Sequence, residues 1–478
     1  MKRILVSAAA LLFALSALAK VELPNIIGDN MVLQRETSVA LWGKAKAGAK
    51  LTIAPSWTKT KTTVTVGQDG KWSAKVATPA AGGPYDIIFN DGEKLAVKNV
   101  LIGEVWFCGG QSNMEMPVRG YTGQPVNGAF ETIMDAKTST PIRLCKIEKA
   151  SKTKEQEEAV MSWSLHTPEA VAAFSATGYF FAQQLCKTLG VPVGVISCNW
   201  GGSSIETWIR RDYIEKDFSG EFNLDYFDAV EIPRNKQNQW PALLYNGMVA
   251  PIVPFTFKGI VWYQGETNRA RAEQYLRLSK TYVEMMRSIF DNPGMPFYAV
   301  QIAPFRYNNP DDRLSGFLQE AQLKASQQIP HAGLATTLDI GNASCIHPAQ
   351  KKEVGQRLAA LALSNDYGFK GICARAPEYR EMEIKGKQIT LKFNLFNGDS
   401  IGPINRDLDG FEVAGEDKVF HKVSNVRVAS NRKDIIIKCE EVEAPVAVRY
   451  AFHNVAEASF FNSMSIPVGP FRTDDWTE

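Results

Sequence analysis

Histidine is scarce in this sequence. Five occur among 478 residues, and they are widely separated. The seven cysteines include no Cys-x-x-Cys pair. Both shortages argue against a zinc site, because zinc ligands usually come from closely spaced cysteines and histidines. The odd number of cysteines also leaves at least one thiol without a partner in the chain.

A strong net charge is also lacking. The chain has 53 Lys and Arg against 51 Asp and Glu, and two of the basic residues are Lys2 and Arg3. Without those two, the remaining chain has equal numbers of basic and acidic residues. A formally neutral chain has no general attraction for nucleic acids or anionic surfaces. We therefore expect no nucleic-acid partner.

Long apolar runs are absent except at the N-terminus. Residues 4–19 carry no charge, and Ala17-Leu18-Ala19 offers the small residues of a signal-peptide cleavage site before Lys20. The run is short for a membrane span. We expect residues 1–19 to be a signal peptide and the mature protein to be exported, periplasmic or extracellular, with no membrane span.

The rest of the chain divides into three regions by pattern. Residues 20–100 and 369–478 are rich in β-type residues separated by glycine turns, which predicts a β-sandwich region on each side of the centre. Residues 101–368 alternate apolar strands with helical stretches such as Ala176–Leu189 and Leu314–Gln328. Alternation of this kind predicts an α/β domain whose parallel sheet is covered by helices.

Four predicted strands of the central region end in glycine or short polar residues. Ser112 follows the first of these strands, and the segment 198–204 follows the second. The segment 264–268 follows the third strand, and Asp339 and then His347 follow the fourth. The carboxyl ends of parallel strands lie along one edge of a sheet, where the active sites of such folds are found. We expect these segments to form a single site.

Ser112 and His347 have the chemistry of a nucleophile and its base. Ser112 follows the apolar run Val105–Cys108 and two glycines, which places it on a turn. A serine hydroxyl needs a base, and histidine is the usual one at neutral pH. His347 is the one histidine predicted to follow a strand on the active side of the sheet. The backbone N–H groups of Ser112 and of Gly201 or Gly202, with the amide of Asn268, are candidate oxyanion donors.

Several short motifs occur in a fixed order along the chain. They are Gly110-Gln111-Ser112-Asn113-Met114, the strand 192–196 leading to Trp200-Gly201-Gly202, segments 205–208, 244–248 and 262–268, Ile346-His347-Pro348, and the closing segment 470–474. Together they resemble the sialate O-acetylesterase family, a branch of the SGNH hydrolases related to acetylxylan esterases. The resemblance implies an SGNH-type fold and removal of sugar O-acetyl groups without a metal or cofactor. It also implies that Ser112 is the nucleophile, His347 the base, and Gly201, Gly202 and Asn268 oxyanion donors.

The acidic partner of His347 is the point where the sequence departs from that family. SGNH enzymes usually carry an aspartate three residues before the histidine, and Ser344 occupies that position here. We favour Asp339 as the acid, because it shares a loop with His347. Glu266 is the alternative, and a dyad oriented by a backbone carbonyl is a third possibility.

Two other functions compete with a serine esterase. Glu266 and Asp339 could form the carboxylate pair of a glycosidase, and a carbohydrate-binding protein without catalysis is the second rival. Within the esterase reading, O-acetylated sialic acid is the expected substrate, and acetylxylan or another plant glycan is the alternative. A sialic acid carboxylate calls for an arginine, for which Arg306 is a candidate. Gln264 is a further candidate for substrate binding.

Overall fold

The central sheet is built around one long strand that the N-terminal region shares. The structure, a computed structural model, describes residues 20–227, 235–309, 312–397, 399–404 and 406–476. The predicted signal peptide, residues 1–19, lies outside the described residues. The N-terminal strands are β1 (Val32–Gln34), β2 (Ser38–Lys44), β3 (Lys50–Pro55), β4 (Thr62–Thr65), β5 (Lys71–Ala77) and β6 (Gly82–Asn90), followed by β7 (Lys94–Gly110).

The central region then alternates strands and helices. Its elements are α1 (Ser112–Glu115), α2 (Ala129–Met134), β8 (Ile142–Ile147), β9 (Met161–Ser164), α3 (Pro168–Ala173), α4 (Ala176–Leu189), β10 (Val193–Asn199), α5 (Arg211–Asp217), β11 (Gly259–Tyr263), α6 (Ala272–Ile289), β12 (Phe297–Val300), α7 (Leu314–Gln328), β13 (Ala332–Ala335) and α8 (Lys351–Asp366). Short 3₁₀ or π turns occur between α5 and β11 and at Glu266–Arg271. Helices α4 and α7 have the predicted bounds.

The central sheet is mostly parallel, as predicted. Its strand order is β13-β12-β11-β7-β10-β8-β9, and only β9 runs antiparallel to its neighbour. The first part of β7 pairs with β1 and β6, whereas its last part pairs with β10 and β11. One strand therefore crosses from the N-terminal sheet into the central sheet.

The C-terminal region is a set of antiparallel strands. They are β14 (Glu378–Lys385), β15 (Gln388–Asn394), β16 (Ile401–Gly402), β17 (Phe411–Ala414), β18 (Phe420–Val423), β19 (Val426–Val428), β20 (Asp434–Lys438), β21 (Ala447–Tyr450), β22 (Phe461–Asn462) and β23 (Phe471–Arg472). They form sheets in the orders β14-β15-β20-β19, β18-β17-β21-β23 and β16-β22. An apolar core of their own lies between them.

Apolar side chains fill both faces of the central sheet. On one face the core is continuous with that of the N-terminal strands, and on the other it lies beneath α4 and α8. All seven cysteines are unpaired thiols. Within the described residues, no helix is both long and apolar enough to cross a bilayer.

One predicted strand end needs correction next to the site. The sequence predicted that Asp339 directly follows the fourth strand, but this strand ends four residues earlier, at Ala335. The hydroxyls of Thr336 and Thr337 bond to the backbone carbonyls of Pro467 and Gln301. Helix α8 begins at Lys351, four residues after His347. The preceding turn is held by side chains instead of helical hydrogen bonds, as described below.

Helix α8 packs against α4 through Gly355. A Cβ added at this glycine would lie 2.7 Å from the Cβ of Phe180 and from the backbone nitrogen of Phe181. Real Cβ atoms are not found this close to other atoms, so an added methyl group would force the two helices apart.

We predict that Gly355→Ala lowers the free energy of unfolding by about 1–3 kcal/mol, the usual cost of overpacking. This net loss is expected although alanine favours a helix by about 1 kcal/mol. Gly371→Ala is the control, because a Cβ there meets nothing within 4 Å. Urea unfolding of both variants measures the effect, and equal stabilities would contradict the packing argument.

Candidate active site

The site begins where the end of β7 closely approaches β11. Gly110 has φ +143°, and a Cβ there would lie 2.1 Å from the carbonyl oxygen of Tyr263. Only glycine fits this position. The close approach ends the strand, and Ser112 follows two residues later as the first residue of α1.

The loop after β10 packs against the same turn. The backbone N–H of Trp200 donates to the carbonyl of Gly110 at 3.1 Å. A Cβ added at Gly201 would lie 3.3 Å from the Cβ of Ser112. The segment predicted to supply oxyanion donors is therefore in contact with the candidate nucleophile.

Asn113 joins the remaining two loops to the nucleophile turn. Its side chain is fully buried. The amide nitrogen donates to Glu266 Oε1 at 2.6 Å and to the carbonyl of Ile346 at 3.0 Å, and the amide oxygen accepts from Lys351 Nζ at 2.7 Å. Because Ser112 precedes Asn113 and His347 follows Ile346, this side chain brings the segments of the two candidate catalytic residues together.

Gln124 is the hydrogen-bond partner of His347. The distance between His347 Nδ1 and Gln124 Oε1 is 2.6 Å. A carbonyl oxygen there makes Nδ1 the protonated nitrogen and leaves Nε2 free to accept a proton. Tyr121 packs edge-on against the imidazole at 5.6 Å and exchanges two 2.9 Å backbone hydrogen bonds with Gln124. These two backbone hydrogen bonds hold the Gln124 side-chain amide beside the His347 ring.

The surroundings of His347 favour its neutral form. Burial is the main reason that its pKa falls to about 4, and the nearby Lys351 ammonium lowers the pKa further. The Glu115 carboxylate acts in the opposite direction. A neutral imidazole is the form that acts as a base.

Asp339, predicted as the acid, is placed elsewhere. Both of its carboxylate oxygens accept hydrogen bonds from Arg357, at 2.7 and 2.5 Å. Arg357 is on α8, so the side chain of Asp339 contacts that helix. The position beside Nδ1 that the prediction gave to Asp339 is occupied by the neutral Gln124.

Glu266, the alternative acid, contacts Asn113 and not the imidazole. Its Oε1 accepts the amide of Asn113, and its Oε2 is out of solvent with no hydrogen-bond partner among the described residues. Burial raises the pKa of this carboxyl. Of the carboxylate pair considered for a glycosidase, Glu266 binds Asn113 through one oxygen, and Asp339 binds Arg357 through both.

Two of the four predicted oxyanion donors have other partners. The backbone N–H of Gly201 donates to Glu115 Oε2 at 2.5 Å, and Lys149 pairs with the other oxygen of that carboxylate. Asn268 is fully buried; its amide nitrogen donates to Glu206, and its oxygen accepts from Ile205 N and from Gln264. Within the described residues, the N–H groups of Ser112 and Gly202 have no such acceptor.

The two candidate substrate-binding residues differ in exposure. Gln264 is fully buried and donates to Ser203 O, Gln111 and Asn268, so it connects loops beneath the site. Arg306 is exposed. Its backbone N–H donates to the carbonyl of Ala343 at 3.1 Å, which places it beside the loop that leads to His347.

Sequence reasoning missed Gln124 and Lys351. Gln124 lies in a polar loop without periodicity, so nothing local predicts its contact with a histidine 223 residues away. Lys351 did carry a signal. It is three residues before Val354 and seven before Leu358 on the apolar stripe of α8, which predicts a buried side chain.

Comparison with known proteins decides the family. The family model described as carbohydrate esterase, sialic acid-specific acetylesterase, matches residues 102–364. This chain belongs to that family. It is therefore a carboxylic ester hydrolase whose substrate class is acetylated carbohydrate.

Similar proteins agree over most of the chain. The chain is 26% identical to sialate O-acetylesterase of Homo sapiens, covering 75% of this chain and 74% of the human protein. It is 26% identical to the Rattus norvegicus protein of the same name, covering 82% and 81%. A carbohydrate acetylesterase from Xanthomonas citri is 32% identical, and the comparison covers 96% of this chain and all of that one with a TM-score of 0.86.

We predict that the acid limb of the pH profile lies well below the usual range for histidine. The pKa of His347 is lowered to about 4, so the imidazole stays neutral, and able to accept a proton, above that pH. Most of the activity should remain at about pH 5, where an ordinary histidine is largely protonated. Measuring kcat/KM for an aryl acetate reports this pKa in the free enzyme. An acid limb close to about pH 6.5 would contradict the prediction.

We predict that Gln124 matters more to the rate than Asp339. Gln124→Leu should lower kcat/KM by about one to two orders of magnitude, because the imidazole loses the group that fixes its tautomer. Asp339→Asn should keep a rate close to wild type. Gln124→Glu should move the acid limb to higher pH, because a carboxylate raises the pKa of a neighbouring imidazole. A collapse in Asp339→Asn beside an active Gln124→Leu would restore Asp339 as the acid.

Proposed function

We propose that this protein is an exported serine esterase that removes O-acetyl groups from sugars, with O-acetylated sialic acid as its substrate. The observation that carries the proposal is the hydrogen bond from Asn113 to Ile346, which joins the segments of Ser112 and His347. Family membership supplies the reaction class, and the names of the mammalian relatives supply the sugar.

The reaction follows the two steps of acyl transfer. His347 Nε2 takes the proton of Ser112 Oγ as the hydroxyl attacks the acetyl carbonyl carbon, and a tetrahedral intermediate forms. The intermediate collapses, the sugar oxygen leaves with the proton from His347, and an acetyl-serine remains. Water, deprotonated by His347, then attacks the acetyl-serine, and acetate departs as the proton returns to Ser112.

Gln124 and the backbone supply the supporting contacts. Gln124 accepts the Nδ1–H of His347 and so leaves Nε2 as the nitrogen that takes the hydroxyl proton. The N–H groups of Ser112 and Gly202 are the donors proposed for the oxyanion. Gly201 becomes a third donor only when Glu115 releases it.

A second substrate class is favoured by one observation. The Xanthomonas citri protein, described as a carbohydrate acetylesterase, is similar over nearly the whole chain. Acetylxylan or another acetylated plant glycan is therefore the alternative substrate. Such glycans carry no carboxylate at the acetylated sugar, so they do not require the exposed Arg306.

We predict that Ser112→Ala lowers acetate release from an aryl acetate by about four to six orders of magnitude. Ser219→Ala, an exposed loop serine, is the matched control and should keep full activity. A fluorophosphonate should add one label to the wild type and none to Ser112→Ala, as read by intact mass. Full activity in Ser112→Ala would exclude the serine mechanism.

The same wild-type enzyme decides the substrate. Acetate release is compared between O-acetylated sialic acid and acetylxylan at equal acetyl concentration. A higher kcat/KM for the sialic acid supports the proposal. A higher kcat/KM for acetylxylan would make acetylxylan the substrate and would leave the proposed esterase mechanism unchanged.

A further inference from the structure

Lys351 is a buried cation that the reaction described above does not use. It is the first residue of α8, and it is 1% exposed. A charge removed from water is costly unless hydrogen bonds and an opposite charge compensate for it. Its Nζ donates to Asn113 Oδ1 at 2.7 Å and to the carbonyl of Pro348 at 2.9 Å, and lies 5.7 Å from the centre of the Tyr263 ring.

These hydrogen bonds hold the residues on either side of His347 in the sequence. The carbonyl before His347, that of Ile346, accepts from the Asn113 amide. The carbonyl after it, in the next residue Pro348, accepts from Lys351. Asn113 and Lys351 are also bonded to each other. The connected pair of Asn113 and Lys351 thus fixes the peptide group that precedes His347 and the one that follows Pro348.

The charges around this pair are few. Burial lowers the pKa of Lys351 to about 7, while the charge of Glu266 favours the ammonium. Facing His347 are Lys351, Glu115 and the Tyr121 ring, and the Cys345 thiol bonds to the His347 carbonyl. Of the charged groups, only Lys351 disfavours a proton on the imidazole.

We propose that Lys351 is a positioning residue for the esterase reaction, which holds the His347 turn through Pro348 and Asn113 and places a positive charge near the imidazole. The inference rests on the proposed role of His347 as the base. A lysine that only stabilised the fold would affect stability and leave the pH profile unchanged.

The test is Lys351→Met, which keeps the length of the side chain and removes its charge and donors. Lys352→Met is the matched control, because the next lysine of the same helix is exposed. In Lys351→Met we expect kcat to fall about 10- to 100-fold, the usual effect of a displaced catalytic group, while KM changes by less than about threefold. The acid limb of kcat/KM should move to higher pH, because the imidazole loses a neighbouring cation. Lys352→Met should match the wild type in all three quantities.

A second variant separates positioning from stability. Lys351→Met leaves Glu266 buried without its cation, which destabilises the fold whatever the role of the lysine. Glu266→Gln combined with Lys351→Met removes both charges and keeps an acceptor for Asn113. We expect this double variant to regain thermal stability and to keep the low kcat. Recovery of kcat together with stability, or an unchanged pH profile in Lys351→Met, would overturn the proposal.

The outcome for Lys351 is separable from that for the proposed function. A wild-type enzyme that releases no acetate and takes up no fluorophosphonate would refute the esterase mechanism itself. A labelled and active wild type beside a Lys351→Met variant with wild-type kcat would refute only the positioning role.

Discussion

The arrangement of the site depends on one buried amide. Asn113 directly follows Ser112, the proposed nucleophile. Its two side-chain polar atoms bond to the loop after β11, the loop after β13 and the first residue of α8. A buried amide that lost any of these partners would leave an unsatisfied group, which costs about 1–3 kcal/mol. The loops are therefore held in one arrangement before any substrate binds, and preorganisation of this kind is what acyl transfer requires.

His347, the proposed base, has a neutral orienting partner. In the familiar triad a carboxylate stabilises the imidazolium that forms during the reaction. Here Gln124 accepts the same Nδ1–H without a charge, and the charge of the buried Lys351 disfavours a proton on the ring. This arrangement fixes the tautomer as a carboxylate does, while it favours the uncharged imidazole. The proposed base therefore stays unprotonated to lower pH than it would beside a carboxylate. Its protonated form, in turn, is stabilised less.

The parts of the fold that depend on local pattern were predictable. Helices α4 and α7 follow from apolar periodicity, and the strands leading to Ser112 and to Trp200 follow from short apolar runs that end in glycine. The contacts that complete the site depend on tertiary structure instead. Gln124 comes from a distant polar loop. Asp339 binds Arg357, and β13 ends four residues before it. Asn268 was predicted to face the substrate, yet it binds Glu206 in the interior, because sequence spacing does not tell which way a loop amide points.

The shared strand β7 has a consequence for the order in which the chain assembles during synthesis. Its first half pairs with β1 and β6. Because β6 directly precedes β7 in the chain, the β6–β7 hairpin can form as soon as these two strands leave the ribosome. Its second half, the apolar stretch through Cys108, waits for β10 and β11, which begin at Val193 and Gly259. At about 5–20 residues per second, that wait lasts several seconds. During this interval the apolar second half of β7, already anchored at one end, lacks the two strands that pair with it in the folded protein.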